Sequence, residues 1–278
     1  MDDTILSGDL KLSAHVAVPN PPLPSLGLVL CHGLPNPPRG AATVGTTYPD
    51  LADHIANEAG WTVLTFNFRG TGTSEGDFSA HGWLDDLRNA VRTLHARPDV
   101  RGVWVAGFGH GGTLAVCAAA DDHLVRGVAT IAAPSTLRDW AQDPGRLLEH
   151  ARAMGMIRTE GFPSDATRWV RDIGRVDAIA AAKRLDRRPL LVLHGVEDVE
   201  VPVDDARALA DAGRPDSELR LVQGAGHRLR HDPRAIATLL GWLARQVPSG
   251  TDSPPSLASA PSVPGGGPGE SRSRREGV

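Results

Sequence analysis

Three stretches far apart in the chain carry residue types that could do acid–base and nucleophilic chemistry together. GVWVAGFGHGG at 102–112 fits G-x-G-x-x-G at Gly107, Gly109 and Gly112, and equally fits G-x-S-x-G with Gly109 where that template has serine. HGVEDVEVP at 194–202 holds Asp198, and GAGH at 224–227 ends on His227. A carboxylate that fixes an imidazole in one tautomer leaves the other ring nitrogen free to take a proton. Asp198 and His227 would therefore form a general base if the fold brings them together.

The two templates make different demands on the rest of the chain. A dinucleotide-binding turn opens its domain, and the next strand ends in an acidic residue that holds the ribose. Here the next apolar run ends Thr130-Ile131-Ala132-Ala133 without a carboxylate, and at least three apolar runs precede the glycines. A nucleophile elbow needs small residues around a tight strand-to-helix turn, which Gly107, Gly111 and Gly112 supply, and then an acid and a histidine in that order. Asp198 and His227 follow in that order, each after an apolar run.

The elements that must position these residues alternate along the chain. LGLVLCHG, WTVLTFNFRG, GVWVAGFG, VRGVATIAAP and PLLVLHG are near-continuous apolar runs, as in parallel strands covered on both faces, and LRLVQGAG is shorter. Leu10, Leu12, Ala14, Val16 and Val18 alternate as in a half-exposed strand. Trp83, Leu87, Val91 and Leu94, and later Ile236, Leu239, Leu240 and Leu243, repeat at helical spacing. This rhythm predicts an α/β fold with a mostly parallel central sheet flanked by helices. Residues 137–187 contain no clear strand and read as a small helical cap inserted into a core of residues 1–136 and 188–247. The Pro-, Gly- and Ser-rich stretch 248–278 is expected to be a disordered tail.

At 278 residues and 41% hydrophobic, the chain can bury one sizeable core. A net charge of −4, with Lys11 and Lys183 the only lysines, argues against a nucleic-acid partner. No run is long enough for a membrane span, and the acidic start MDDTILSGDL is unlike a signal peptide. Cys31 and Cys117 lie in apolar surroundings, so free thiols and a cytoplasmic location are expected. His227 and His231 have a metal-ligand spacing, but H-E-x-x-H and a third ligand are missing, so neither a metal nor another cofactor is expected.

Taken in order, CHG at 31–33, NFRGTGTSEG at 67–76, GFGHGG, HGVEDVEVP and GAGH make the chain from about residue 10 to 247 resemble the α/β-hydrolase fold family. The branch it resembles includes serine aminopeptidase-like and dienelactone-hydrolase-like enzymes. The resemblance implies Asp198 as triad acid, His227 as triad base and the backbone N–H groups of Leu34 and His110 as oxyanion hole. It implies a structural role for His32 and for His194. Where active members carry Ser, Cys or Asp, this chain has Gly109.

Substitutes for the missing nucleophile are few. Cys31 is expected to point into the core, Ser74 to hydrogen-bond the Gly-rich loop, and Thr113 to be buried. The His110 side chain could add a second imidazole, or pack under the cap. Glu197 is a solvated neighbour of Asp198, Arg69 either binds an anionic substrate or braces loop carbonyls, and Trp140, Phe162 and Trp169 line a pocket or form the core of the cap. Two functions remain open. One is hydrolysis of a small-molecule ester, thioester or amide, weak or through water. The other is a non-catalytic protein that binds a small molecule or a protein partner in the former active site.

Overall fold

In the computed structural model, which describes residues 2–37 and 40–247, eight strands form one sheet in the order β1-β2-β4-β3-β5-β6-β7-β8. The strands are β1 (Asp2–Ser7), β2 (Leu10–Ala17), β3 (Ser25–Cys31), β4 (Thr62–Phe66), β5 (Val100–Phe108), β6 (Val125–Ile131), β7 (Leu190–Gly195) and β8 (Glu218–Val222). From β4 to β8 every neighbouring pair is parallel, while β1–β2 and β2–β4 are antiparallel. Residues 1–246 form one unit. The second, Val247–Val278, lies outside the described residues except for Val247, and so does the expected disordered tail.

The two-residue period of the strands divides the core into two layers. In β3, Leu28 and Leu30 face one layer while Val29 and Cys31 face the other; Leu191 and Leu193 of β7 oppose Leu190 and Val192 in the same way. Helices α1 (Tyr48–Ala59) and α9 (Pro233–Ala244) cover the first layer with Ile55, Leu239 and Trp242. Helices α2 (Ala80–His95), α3 (His110–Asp121) and α8 (Val203–Ala212) cover the second with Trp83, Leu87, Leu114 and Leu209. All four residues of the Trp83-Leu87-Val91-Leu94 stripe are buried.

Between β6 and β7 the chain is helical: α4 (Arg138–Gln142), α5 (Pro144–Ala153), α6 (Ala166–Gly174) and α7 (Ala178–Ala182). Asp143, Asp165 and Asp177 each accept a backbone N–H of the helix that follows, which sets these starts. Leu147, Trp169, Ile173 and Ala178, Ala181 and Ala182 of α7 join the second core layer. The opening residues, read from the sequence only as an acidic start, form β1, which turns into β2 through Gly8 at φ +62°. No helix of the described residues is long and apolar enough to cross a membrane.

Candidate active site

The turn from β5 into α3 is built by glycines with different reasons to be glycine. A Cβ on Gly107 would lie 2.3 Å from the Gly111 carbonyl oxygen, and one on Gly111 2.3 Å from the His32 carbonyl oxygen. On Gly112 it would meet Ala133 Cβ and Gly107 O at 2.8 Å. Strand and helix can approach this closely only without side chains there. Gly109 differs. Its backbone sits at φ +52°, ψ −131°, its N–H donates to Ile131 O at 2.8 Å, and a Cβ on it would meet only His227 Nε2 at 3.7 Å and Gly33 Cα at 3.8 Å. Those are ordinary contacts, so the site has room for a side chain that would face the imidazole.

His227 comes from the loop after β8, and Asp198 from the turn after β7. The Asp198 side chain is buried; its Oδ1 accepts the backbone N–H groups of Glu200 and Val201, both at 2.9 Å. Its Oδ2 accepts His227 Nδ1–H at 2.9 Å, with His194 Nε2 at 3.4 Å. Two backbone donors beside the ring hold the carboxylate in one orientation, and the carboxylate holds Nε2 of His227 toward Gly109. Glu197 is exposed and donates its N–H to Ala225 O, so Asp198 is the acid that meets the imidazole. The buried His194 donates from Nε2 to Val201 O at 3.0 Å, which ties β7 to the Asp198 turn.

The loop after β3 lies against the elbow. A Cβ on Gly33 would be 2.8 Å from Phe108 O and 3.3 Å from His110 N, so this position too must be bare. Among the described residues, neither Leu34 N–H nor His110 N–H has a backbone acceptor, and both residues line the cavity at Gly109. His32 braces the loop. Its Nδ1–H donates to Gly33 O at 2.7 Å, and Nε2 accepts Phe68 N–H at 3.3 Å. Burial lowers its pKa to about 4, so the ring is neutral as this pattern requires.

His110 is held from the helical segment: Trp140 Nε1–H donates to its Nε2 at 3.2 Å. Burial, with the charges of His227 and His150 as smaller causes, lowers its pKa to about 3, so it serves as an acceptor. His150 Nε2–H donates to Pro35 O at 2.9 Å, so the same segment also holds the Leu34 loop. Trp169 is buried against Phe78 and donates to its carbonyl at 3.1 Å, and Phe162 packs on the core, whereas Trp140 touches His110 of the cavity lining.

The other candidates have structural partners. Cys31 is fully buried, with Sγ on Ala106 O and Gly111 O, and burial raises its pKa far above the ordinary thiol value. Ser74 is buried, donates to Asn67 O at 2.7 Å and accepts Ser13 N–H; Thr113 donates to Pro134 O at 2.6 Å. Arg69 departs from both sequence expectations. It binds neither loop carbonyls nor the cavity, and its Nε and Nη2 grip the buried Asp86 carboxylate of α2 at 3.0 and 2.6 Å. His231 is not aimed at a shared ligand with His227, since its Nε2 is 3.0 Å from Arg230 Nη2.

The cavity before Gly109 has a volume of about 360 Å³, and its lining includes residues the sequence did not single out: Tyr48, Glu200 and Arg230. Glu200 Oε2 lies 3.8 Å from His227 Nε2 and accepts Asn36 Nδ2–H at 3.2 Å. Its place two residues after Asp198 was the one linear signal for it; Tyr48, the first residue of α1, had none.

A family model described as alpha/beta hydrolase fold matches residues 28–171. Curated proteins give no match. Solved structures do. GrgF, an alpha/beta hydrolase from Penicillium sp. sh18, superposes with a TM-score of 0.66 at 20% identity, over 88% of this chain and 97% of its own. Est1E from Butyrivibrio proteoclasticus, solved with ferulic acid bound, gives 0.66 at 17% identity over 88% and 97%. A proline iminopeptidase from Mycobacterium smegmatis gives 0.63 at 18% identity over 88% and 98%. At these identities the likeness is one of fold.

Proposed function

We propose that this chain, which belongs to the alpha/beta-hydrolase fold family, binds a small-molecule ester, thioester or amide before Gly109, and that His227 held by Asp198 activates water there. Gly109 occupies the nucleophile position of the family and has no hydroxyl, so no acyl-enzyme forms on it. The observation that carries the reading is the open space at Gly109: a Cβ would stand 3.7 Å from His227 Nε2 with no clash. A water molecule in the volume a serine would fill can give its proton to Nε2 and attack the carbonyl carbon in one step. The N–H groups of Leu34 and His110, the latter in the first turn of α3, would take up the oxyanion.

The ester or amide class is supported by the names of the structural neighbours, among them an iminopeptidase and a protein with bound ferulic acid. We read residues 137–187 as a cap over this site, because Trp140 and His150 reach His110 and the Leu34 loop from it. A second reading, binding without turnover, is favoured by Glu200, whose carboxylate stands 3.8 Å from the nitrogen that would take the proton.

Hydrolysis of short-chain nitrophenyl esters separates the two. Loss of a triad serine costs about 10⁶ in kcat and leaves roughly 10³ over water. Slow turnover by the natural protein that disappears in His227→Ala, with a gain of several orders of magnitude, up to about 10⁶, in Gly109→Ser, is the expected pattern. Equal rates for the natural protein and His227→Ala would exclude water activation and leave the binding reading. Labelling of any serine by a fluorophosphonate probe would contradict both.

A further inference from the structure

Arg230 lines the same cavity as Gly109 and His227 but has no part in the acid–histidine pair. Its guanidinium carbon sits 4.7 Å from the centroid of the buried Tyr48 ring, a cation–π contact that fixes the fork. Nη2 is 3.0 Å from His231 Nε2, whereas Nε is buried with no hydrogen-bond partner. Among the described residues, no carboxylate forms an ion pair with it; the cavity's own carboxylate, Glu200, is held by Asn36 and stands beside His227. Arg228 also lines the cavity but is exposed, where water and salt screen its charge. A pre-oriented guanidinium in the cavity wall whose charge no carboxylate neutralises is matched by an anion such as a carboxylate.

We propose that Arg230 recognises a carboxylate on the substrate, so that the site takes the half-ester or half-amide of a short dicarboxylic acid. The free carboxylate sits on Arg230 and the acyl carbon lies before Gly109. This rests on the acyl-binding reading for the position of the second group, while the carboxylate contact itself needs no turnover. A cavity of about 360 Å³ is at the small end for organic ligands, which fits a short diacid.

Titration calorimetry on the full chain with monoethyl glutarate, diethyl glutarate and inorganic phosphate tests it. The half-ester is expected to bind at least about tenfold tighter than the diester. Arg230→Gln should abolish that preference, and Arg230→Lys should restore part of it. His227→Ala should keep the preference, so a failure of the hydrolytic reading would be seen separately, in turnover alone. Equal affinity for the two esters, no binding of the half-ester, an undiminished preference in Arg230→Gln, or phosphate binding as tight as the half-ester would each overturn the proposal.

Discussion

The four glycines of GFGHGG are alike in the sequence but answer to two different constraints. Gly107, Gly111 and Gly112 are demanded by backbone atoms that a Cβ would strike, whereas Gly109 has open space and only its positive φ against a side chain. Alanine should therefore separate them. Gly109→Ala is expected to cost about 1–3 kcal/mol, the strain of a side chain in that backbone region. Gly107→Ala should cost clearly more, because its Cβ would lie 2.3 Å from Gly111 O and the strand–helix turn would have to open. Urea denaturation of both variants measures this, and equal midpoints would show that steric approach does not set the turn.

At the level of elements, the site is assembled by loops that are each tied to a helix. NFRGTGTSEG supports His32 through Phe68 N–H, and that loop is fastened to α2 by Arg69 on Asp86 and by Trp83 Nε1–H on Arg69 O at 3.0 Å. Asp86 is fully buried, so removing its partner strands a charge in the core. Arg69→Met is expected to destabilise the protein by about 3–5 kcal/mol, seen as a lower urea midpoint with an unchanged slope. Replacing Asp86 as well, in Arg69→Met/Asp86→Leu, should recover much of the loss. A single variant as stable as the natural protein would show that the pair contributes nothing net. The segment between β6 and β7 acts the same way through Trp140 and His150, so the turn at Gly109 and the Leu34 loop share one support.

For the molecule as a whole, buried neutral histidines make stability depend on pH. His32 and His110 have folded pKa values near 4 and 3, below the ordinary 6.5. Between 6.5 and those values the unfolded chain binds more protons than the folded one, so stability is complete above pH 6.5 and is lost as the pH falls through that window. The urea midpoint at pH 5 should lie below that at pH 7.5, and His32→Asn should flatten the slope; no change across the interval would refute this. The fold was legible because burial on both faces of a parallel sheet writes continuous apolar runs and burial of one helix face writes a 3.6-residue period, both readable from neighbours in the chain. β1 was not, since its pairing with β2 depends on a partner strand and the turn at Gly8. Asp198 and His227 were legible through their order after apolar runs. Glu200 and Arg230 at the cavity, and Asp86 under Arg69, were not, because a side chain's partner is set by which loops converge in space. The sequence by itself determined the layers, the strand-to-helix turn and the absence of a hydroxyl at Gly109. Only the tertiary structure decided that the space at Gly109 opens toward His227 Nε2 and that Arg230 shares its cavity, since both depend on loops more than a hundred residues apart in the chain meeting at one edge of the sheet.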